Sequence, residues 1–168
     1  MQTSYSTDQG AAAYEGQLYD SGFTDKISAK CPTAIPFGKL LVKDTGDFQG
    51  KLPSSALDIT NAQRTLGISL STQALEQSLT GDPQYPEKSV VSTLRKGRAW
   101  VKVEDTVTPG SDVYVRHAAG GNGLGSFAGA SGTGLARLAG AQFLTGAGAN
   151  GLAVIEVNFP ATTFTPPA

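Results

Sequence analysis

The sequence predicts an all-β fold: a small domain of β-barrel or β-sandwich type with about seven or eight short strands. Gly and Pro are abundant, at 21 and 9 of 168 residues, and they divide a chain into short strands and loops. Several segments alternate apolar and polar residues with the period of two that is typical of a half-buried strand. Helical spacing is rare; Leu75 and Leu79 allow one short helix or a surface excursion.

Residues 1–30 hold no strand or helix period for more than a few residues, and after a stretch of small residues aromatic side chains appear singly at Tyr14, Tyr19 and Phe23, with Leu18 next to Tyr19. One interpretation is a loosely tethered tail, because termini are commonly disordered. The other is an extended arm that lies across a partner and docks single aromatic rings into pockets. The even spread of the tyrosines favours the arm.

The folded part opens at Pro36, which suits a strand start or edge because it has no N–H to donate. Residues 39–43 predict a short strand, and the turn-rich residues 44–53 a hairpin or loop. Residues 60–63 fit a capping box, with room for only one turn of helix. Residues 65–70 alternate cleanly and predict another strand.

The clearest regular structure runs from residue 98 to residue 117, after a strand candidate at residues 90–94. Ala99, Val101 and Val103 alternate with polar residues and Trp100. Residues 108–110, Thr-Pro-Gly, then turn the chain, because Pro presets φ and Gly permits a positive φ. Residues 112–117 alternate again, so the segment predicts two neighbouring strands joined by a tight connection.

The last third begins with a Gly- and Ala-rich stretch, residues 118–151, for which a flexible loop is the default interpretation. Its scattered leucines and phenylalanines indicate that parts of it are ordered, and residues 139–145 could form a strand. Residues 151–159 alternate and predict the last strand. We therefore divide the chain into three parts: an extended N-terminal arm (1–30), a single β-rich domain (31–160) and a C-terminal tail (161–168), which is either a second short arm or frayed.

The charge and the N-terminus exclude several classes of protein. The net charge of −1 gives no basic face for nucleic acid and no patch for a membrane surface. The N-terminus lacks the basic and apolar regions of a secretory signal, and no apolar run approaches the length of a membrane span. We expect a soluble intracellular setting until the protein meets its partner.

No catalytic or metal-binding constellation is recognisable in the sequence. Residues 146–151 match G-x-G-x-x-G by letter, but a strand pattern follows where a dinucleotide site needs a helix. Cys31 and His117 are each the single residue of their type, and their spacing to other ligands fits no zinc site. Glu104 and Asp105 could supply one catalytic carboxylate, but acidic residues at a strand end are usually solvated. We expect no enzyme activity, no cofactor and no metal.

Trp100 is the most informative single residue. By alternation it lies with Arg98 and Lys102, opposite the apolar face of the predicted strand, and Tyr114 and Arg116 on the next strand extend this face. Either a loop covers Trp100, or Trp100 anchors an interface, where Trp, Tyr and Arg dominate binding. The mixture of aromatic and cationic side chains is typical of a protein–protein contact.

An ordered set of motifs resembles the structural cement, or head decoration, proteins of tailed bacteriophages. These motifs cover most of the chain and keep the order of the family: GAAAYEGQLYD (10–20), AIPFGKLLVKD (34–44), TLGISLSTQALE (65–76), GRAWVKVEDTVTPGSDVYVRH (97–117) and GAQFLTGAGANGLAVIEVNFP (140–160). The third resembles the family's "GI" strand, the fourth its V-x-P-G-x-x-V-Y-V-R run, and the last its closing pair of strands.

The resemblance implies a non-enzymatic virion protein, made in the host cytoplasm, that binds the outer surface of the expanded head. Its partners would be the major capsid protein and copies of itself, most often as a homotrimer and in some relatives as a homodimer.

We hypothesise that the arm, with Tyr14, Leu18, Tyr19 and Phe23, contacts the capsid. Deletion of residues 1–30 should then leave a folded oligomer that no longer decorates shells. The alternative is a phage tail- or spike-associated module, or a carbohydrate-binding β-module.

Overall fold

The computed structural model describes residues 13–72 and 84–160 and confirms the all-β class. The choice between barrel and sandwich stays a prediction. Twelve strands lie in these ranges, more than predicted, because strands of two or three residues leave no alternation to detect. The strands are β1 (Asp25–Cys31), β2 (Ile35–Pro36), β3 (Leu40–Lys43), β4 (Gly50–Lys51), β5 (Thr65–Ser69), β6 (Gln84–Tyr85), β7 (Ser89–Lys102), β8 (Tyr114–Arg116), β9 (Phe127–Ala128), β10 (Leu135–Arg137), β11 (Ala141–Phe143) and β12 (Leu152–Asn158). Helix α1 spans Ala56–Thr60 and a 3₁₀ turn spans Ala62–Arg64.

The strands form three antiparallel sheets. The main sheet has the order β11-β12-β7-β5-β3-β4, and β1 also pairs with β7. A second sheet has the order β10-β8-β9, and β2 pairs with β6. The Gly-rich stretch therefore supplies three strands, β9, β10 and β11, and most of it is ordered within the fold.

Strand β7 organises the main sheet. It is 14 residues long and has β12 on one edge and β5 on the other, while β1 pairs with its first half. In its second half Ala99 and Val101 have no exposed surface and alternate with the more exposed Arg98, Trp100 and Lys102. The alternation predicted for residues 98–103 is therefore confirmed.

The predicted pairing of residues 98–117 is wrong, because β7 and β8 belong to different sheets. The turn itself is present: Ser111 N–H donates to Thr108 C=O (3.1 Å). The residues around the turn, however, pair with the end of the Gly-rich stretch. Val107 bridges Ala147, and Gly110 N–H donates to Phe143 C=O (2.8 Å). Local alternation cannot reveal such long-range partners.

Two apolar cores lie on opposite faces of the main sheet. The larger one includes three fully buried phenylalanines, Phe127, Phe143 and Phe159, and the inward side chains of β7 and β12. The smaller one contains Ala29, Cys31 and the edge-to-face ring pair Phe37–Tyr85, whose centroids are 5.2 Å apart. Strand β5 lies between both cores and is buried at every residue.

The division into arm, domain and tail stays a prediction, but the structure places part of the arm within the sheet. Residues 25–30 belong to β1, which pairs with β7 along its whole length. Residues 1–12 of the arm and residues 161–168 lie outside the described ranges, as does the possible helix at Leu75 and Leu79. Within the described ranges no helix is long and apolar enough to cross a membrane.

Candidate partner-binding face

The segment that precedes β1 forms an additional antiparallel ladder with β7. Gly16 N–H donates to Trp100 C=O (2.8 Å), Trp100 N–H to Gln17 C=O (2.8 Å), and Tyr19 N–H to Arg98 C=O (3.0 Å). Because β12 already pairs with these residues of β7, the segment must lie on the opposite edge. Residues 20–24 then lead to the other edge, where β1 begins.

This ladder brings together the two groups of residues that the sequence predicted separately. Leu18 bridges Ala99 and packs against the larger core, so it is a structural residue of the arm. Its neighbour Tyr19 points to the outer face, where its ring centroid lies 5.8 Å from that of Trp100 at an interplanar angle of 60°. Tyr19 is 50% exposed and covers Trp100 only in part.

Arg98 is held in place beside these rings by two carboxylates. Its Nε lies 2.8 Å from Glu156 Oε2, and its Nη1 lies 3.0 Å from Asp20 Oδ2. The hydrogen bond to Glu156, followed by that to Asp20, raises the pKa of Arg98. All three side chains are more than a third exposed, so these pairs fix the orientation of Arg98 and add little to stability.

Phe23 completes the surface that we call the aromatic face: Tyr19, Phe23, Arg98 and Trp100. Phe23 is 85% exposed, and it borders an open groove of about 400 Å³ whose other walls come from residues 96–98 of β7 and 156–158 of β12. An exposed aromatic cluster around an oriented arginine has the composition of a binding hot spot.

The remaining predicted residues occupy different places. Tyr14 is 61% exposed and Lys102 is half-buried on β7. Tyr114 and Arg116 lie on β8 in the second sheet and so do not extend the face of Trp100. The sequence placed five residues on one face because it treated β7 and β8 as neighbours: Arg98, Trp100, Lys102, Tyr114 and Arg116.

Arg116 is part of a buried polar network that sequence reasoning missed. Its Nε donates to Glu104 Oε1 (2.7 Å), and the two side chains are only 14% and 10% exposed. Glu104 Oε1 also accepts the backbone N–H of Asn122 (2.9 Å) from the Gly-rich stretch. Gly121 has φ +52°, and a Cβ there would lie 2.4 Å from the same oxygen, so only glycine allows this close approach.

A buried lysine links this network to the N-terminal segment. Lys39 is 6% exposed, and its Nζ donates to Ser126 Oγ (2.9 Å) and to Asn122 C=O (3.3 Å). The same Nζ lies 3.7 Å from Glu15 Oε1. Lys39, Glu104 and Arg116 therefore hold the Gly-rich stretch against the sheet, and no short-range pattern could have paired residues so distant in sequence.

A family model described as "Structural cement protein (E217 gp24/Pam3 gp6)" matches residues 1–158. The chain belongs to the family of structural cement proteins. This confirms the family and the phage structural role that the motifs predicted. Membership implies association with capsid proteins in the virion.

The solved structures that are similar to this cement protein include the following two. One is a chain of "The capsid of Myoviridae Phage XM1", with a TM-score of 0.67 and 19% identity over 94% of this chain and 98% of that chain. The other is "The crystal structure of head fiber gp8.5 N base in bacteriophage phi29", with a TM-score of 0.42 and 9% identity over 81% and 95% of the two chains. The first shows a shared fold. A search of curated proteins found no match.

The side chains that the sequence offered as possible catalytic or metal-binding groups are part of the fold of the cement protein. Burial raises the pKa of the Cys31 thiol to about 11, which keeps it protonated at neutral pH. Asp105 accepts the backbone N–H groups of Gly129 (2.6 Å) and Ala130 (3.0 Å). Within residues 13–72 and 84–160, no three His, Cys, Asp or Glu side chains cluster as metal ligands would.

The network predicts that acid destabilises the cement protein. Burial alone would raise the pKa of Glu104, but its hydrogen bonds to Arg116 and Asn122 outweigh this and hold that pKa below the ordinary 4.5. Burial would likewise raise the pKa of Asp58, but the hydrogen bonds from Ser54 and the charge of Arg64 outweigh this effect and hold that pKa below 3.8. A lowered folded-state pKa stabilises the fold above the unfolded-state value, and this contribution disappears as pH falls through the folded-state value.

We therefore expect the free energy of unfolding to be constant from pH 7 to about pH 5.5 and to fall steadily below about pH 4.5. Urea denaturation at pH 7, 5, 4 and 3 measures this. Glu104→Gln should be less stable at pH 7 and should lose less on acidification. A variant whose loss runs parallel to that of the native chain would show that Glu104 does not contribute.

Proposed function

We propose that the protein binds the outer surface of the expanded phage head as a homo-oligomer, a trimer in the first place with a dimer as the alternative, and stabilises contacts between major capsid subunits. The role is structural and non-enzymatic. The aromatic face carries the proposal, because it presents Phe23 and Tyr19 to solvent beside an arginine that is already oriented. Aromatic side chains have only two rotatable side-chain bonds, so they lose little conformational entropy on binding.

A modest contact at each aromatic face suffices for this role. A symmetric oligomer presents several such faces at once, and linked binding can strengthen attachment by about 10²–10⁴-fold without new contacts. Binding that favours the expanded lattice stabilises it by mass action. The stability of the decorated shell then increases with the concentration of free protein.

The test is co-sedimentation of the purified protein with expanded, undecorated shells, measured as bound copies per capsid subunit. Saturation at a fraction fixed by the symmetry of the shell supports the proposal, and analytical ultracentrifugation of the free protein gives its oligomeric state. Absence of binding to shells, with the protein found at the tail instead, would favour the alternative of a tail- or carbohydrate-binding module.

Phe23→Ala is expected to weaken binding to shells by about 30-fold at each aromatic face, and by more for an oligomer that engages several faces, because truncation of an aromatic anchor costs about 2 kcal/mol. Phe23 is suited to this test because its 85% exposed ring contributes little to folding. Leu57→Ala is the matched control, since it removes a 71% exposed apolar side chain from α1. Equal binding of both variants would refute the assignment of the aromatic face to the capsid.

A further inference from the structure

A broad basin opens on the main sheet beside β1 and the first half of β7. It has a volume of about 520 Å³, and its walls come from the arm before β1, β1 itself, β6, the start of β7 and the residues that follow β5. Two of its lining residues also belong to the apolar interior: Leu70 is part of the larger core, and Leu18 packs against it. The basin therefore continues the core side of the sheet beyond the region that the core covers.

Strand pairing places a row of polar side chains in and beside this basin. Lys26, Ser28 and Lys30 are the exposed residues of β1, and alternate residues of a strand lie on one face. Ser28 pairs with Ser92, and Lys30 pairs with Val90. Residues that pair across two strands share a face, so these side chains lie together. Val90 is 62% exposed, which is a large exposure for an apolar side chain in a strand.

The basin presents hydrogen-bonding groups and one positive charge. Within residues 13–72 and 84–160, the hydroxyls of Ser28, Ser71 and Ser92 make no hydrogen bond, and the Lys26 ammonium forms no ion pair. No acidic side chain of the described ranges lines the basin. An ammonium and several hydroxyls supply donors without a negative charge, which is the set that binds a carboxylate.

The lysines of β1 differ from the other strong cations of the fold. Every arginine of the chain forms an ion pair with a carboxylate. Even Asp25, the neighbour of Lys26 in the chain, pairs with Arg95 instead. In the part of the chain that the structure describes, Lys26 and Lys30 have no such partner. Their charges are therefore available to a partner of opposite charge, which they would steer and orient.

We propose that the basin binds an extended acidic segment of the capsid protein, with a carboxylate at Lys26 and an apolar side chain against Val90. This inference rests on the capsid binding proposed above. The serine hydroxyls both donate and accept, so they can bind the backbone N–H and C=O groups that an extended segment exposes. Residues 16–18 line the basin, and the next residue, Tyr19, belongs to the aromatic face. One partner that crosses this part of the arm therefore contacts both surfaces.

Co-sedimentation with expanded, undecorated shells at low and high salt tests the proposal. At low salt Lys26→Glu should weaken binding about tenfold at each contact, which corresponds to about 1.4 kcal/mol, because attraction becomes repulsion. High salt should reduce this difference by screening. Val90→Ser should weaken binding at both salt concentrations, because the lost contact is apolar.

Lys43→Glu is the matched control. Lys43 lies on β3 outside the basin, and the described ranges hold no ion pair for it, so the variant has the same net charge as Lys26→Glu. We expect it to bind shells like the native chain at both salt concentrations.

Several results would overturn the proposal. If the native chain binds shells and Lys26→Glu binds as well as Lys43→Glu, the basin is not a contact, although the proposed function stands. If the native chain binds no shells, both fail. A lower melting temperature of free Lys26→Glu would mean that a carboxylate of the same chain occupies the basin. A change in the sedimentation coefficient of the free variant would mean that a second copy does.

Discussion

Deletion of residues 1–30 is expected to unfold the protein, contrary to the expectation from sequence that a folded oligomer would remain. The deletion removes six of the seven residues of β1 and the ladder between residues 16–19 and β7. The deletion also removes Ala29, which is 2% exposed, from the smaller core, so that Val91 and Leu66 in this core lose packing contacts. Burial of one aliphatic side chain contributes about 1.5–3 kcal/mol, and domains are stable by only about 5–15 kcal/mol. The loss of several such contacts, together with the backbone pairing of β1 and of residues 16–19, is therefore comparable with the whole stability of a domain.

Thermal denaturation followed by circular dichroism measures this effect. Deletion of residues 1–12 is the matched control, because every strand of the described structure remains. We expect a cooperative transition for the shorter deletion and none for the longer one. A cooperative transition of the longer variant near that of the whole chain would show that the larger core and the rest of the sheet fold without β1. The functional test of the arm therefore requires substitutions such as Phe23→Ala.

The strands that could be predicted from sequence are those with enough residues to show a period. Residues 65–70, 98–103 and 151–159 alternate over at least five residues, and each forms a strand of the main sheet. Strand β9 has two residues and is defined by its pairing with β8 and by the bridge between Phe127 and Val103. Its place depends on contacts between residues that are distant in the chain, which no local pattern contains.

Only part of the candidate site could be predicted from the sequence, because a local pattern shows which face of a strand a residue lies on but not which distant residue it contacts. The alternation of residues 98–103 predicts that Arg98 and Trp100 lie on the outer face. The single aromatic residues of the arm predict Tyr19 and Phe23 as contacts to a partner. Nothing in the sequence indicated that Tyr19 would contact Trp100, because this contact needs the long-range ladder between the arm and β7. The Gly-rich stretch has the composition of a flexible loop. Its ordered conformation depends on Glu104 and Asp105, which lie outside it in the sequence and whose carboxylates accept backbone N–H groups from it.

Arg116→Ala is expected to cost about 3–5 kcal/mol of stability, because it leaves Glu104 buried without its partner. For a domain of this size the melting temperature should fall by on the order of 10 °C. Arg137→Ala is the matched control, since it breaks the ion pair with Asp112, whose two side chains are 67% and 52% exposed. An exposed pair contributes about 0–1 kcal/mol, so the control should melt near the native temperature.

The double variant Glu104→Gln with Arg116→Met separates the value of the ion pair from the cost of an unpaired charge. The amide oxygen of Gln can still accept the N–H of Asn122, and Met fills the volume of the arginine stem without a charge. Replacing both members of a buried pair is often nearly neutral, whereas removal of one is strongly destabilising. The double variant should therefore be more stable than Arg116→Ala. If it were equally unstable, the Gly-rich stretch would depend on the charges themselves, and the network with Lys39 would act as one unit.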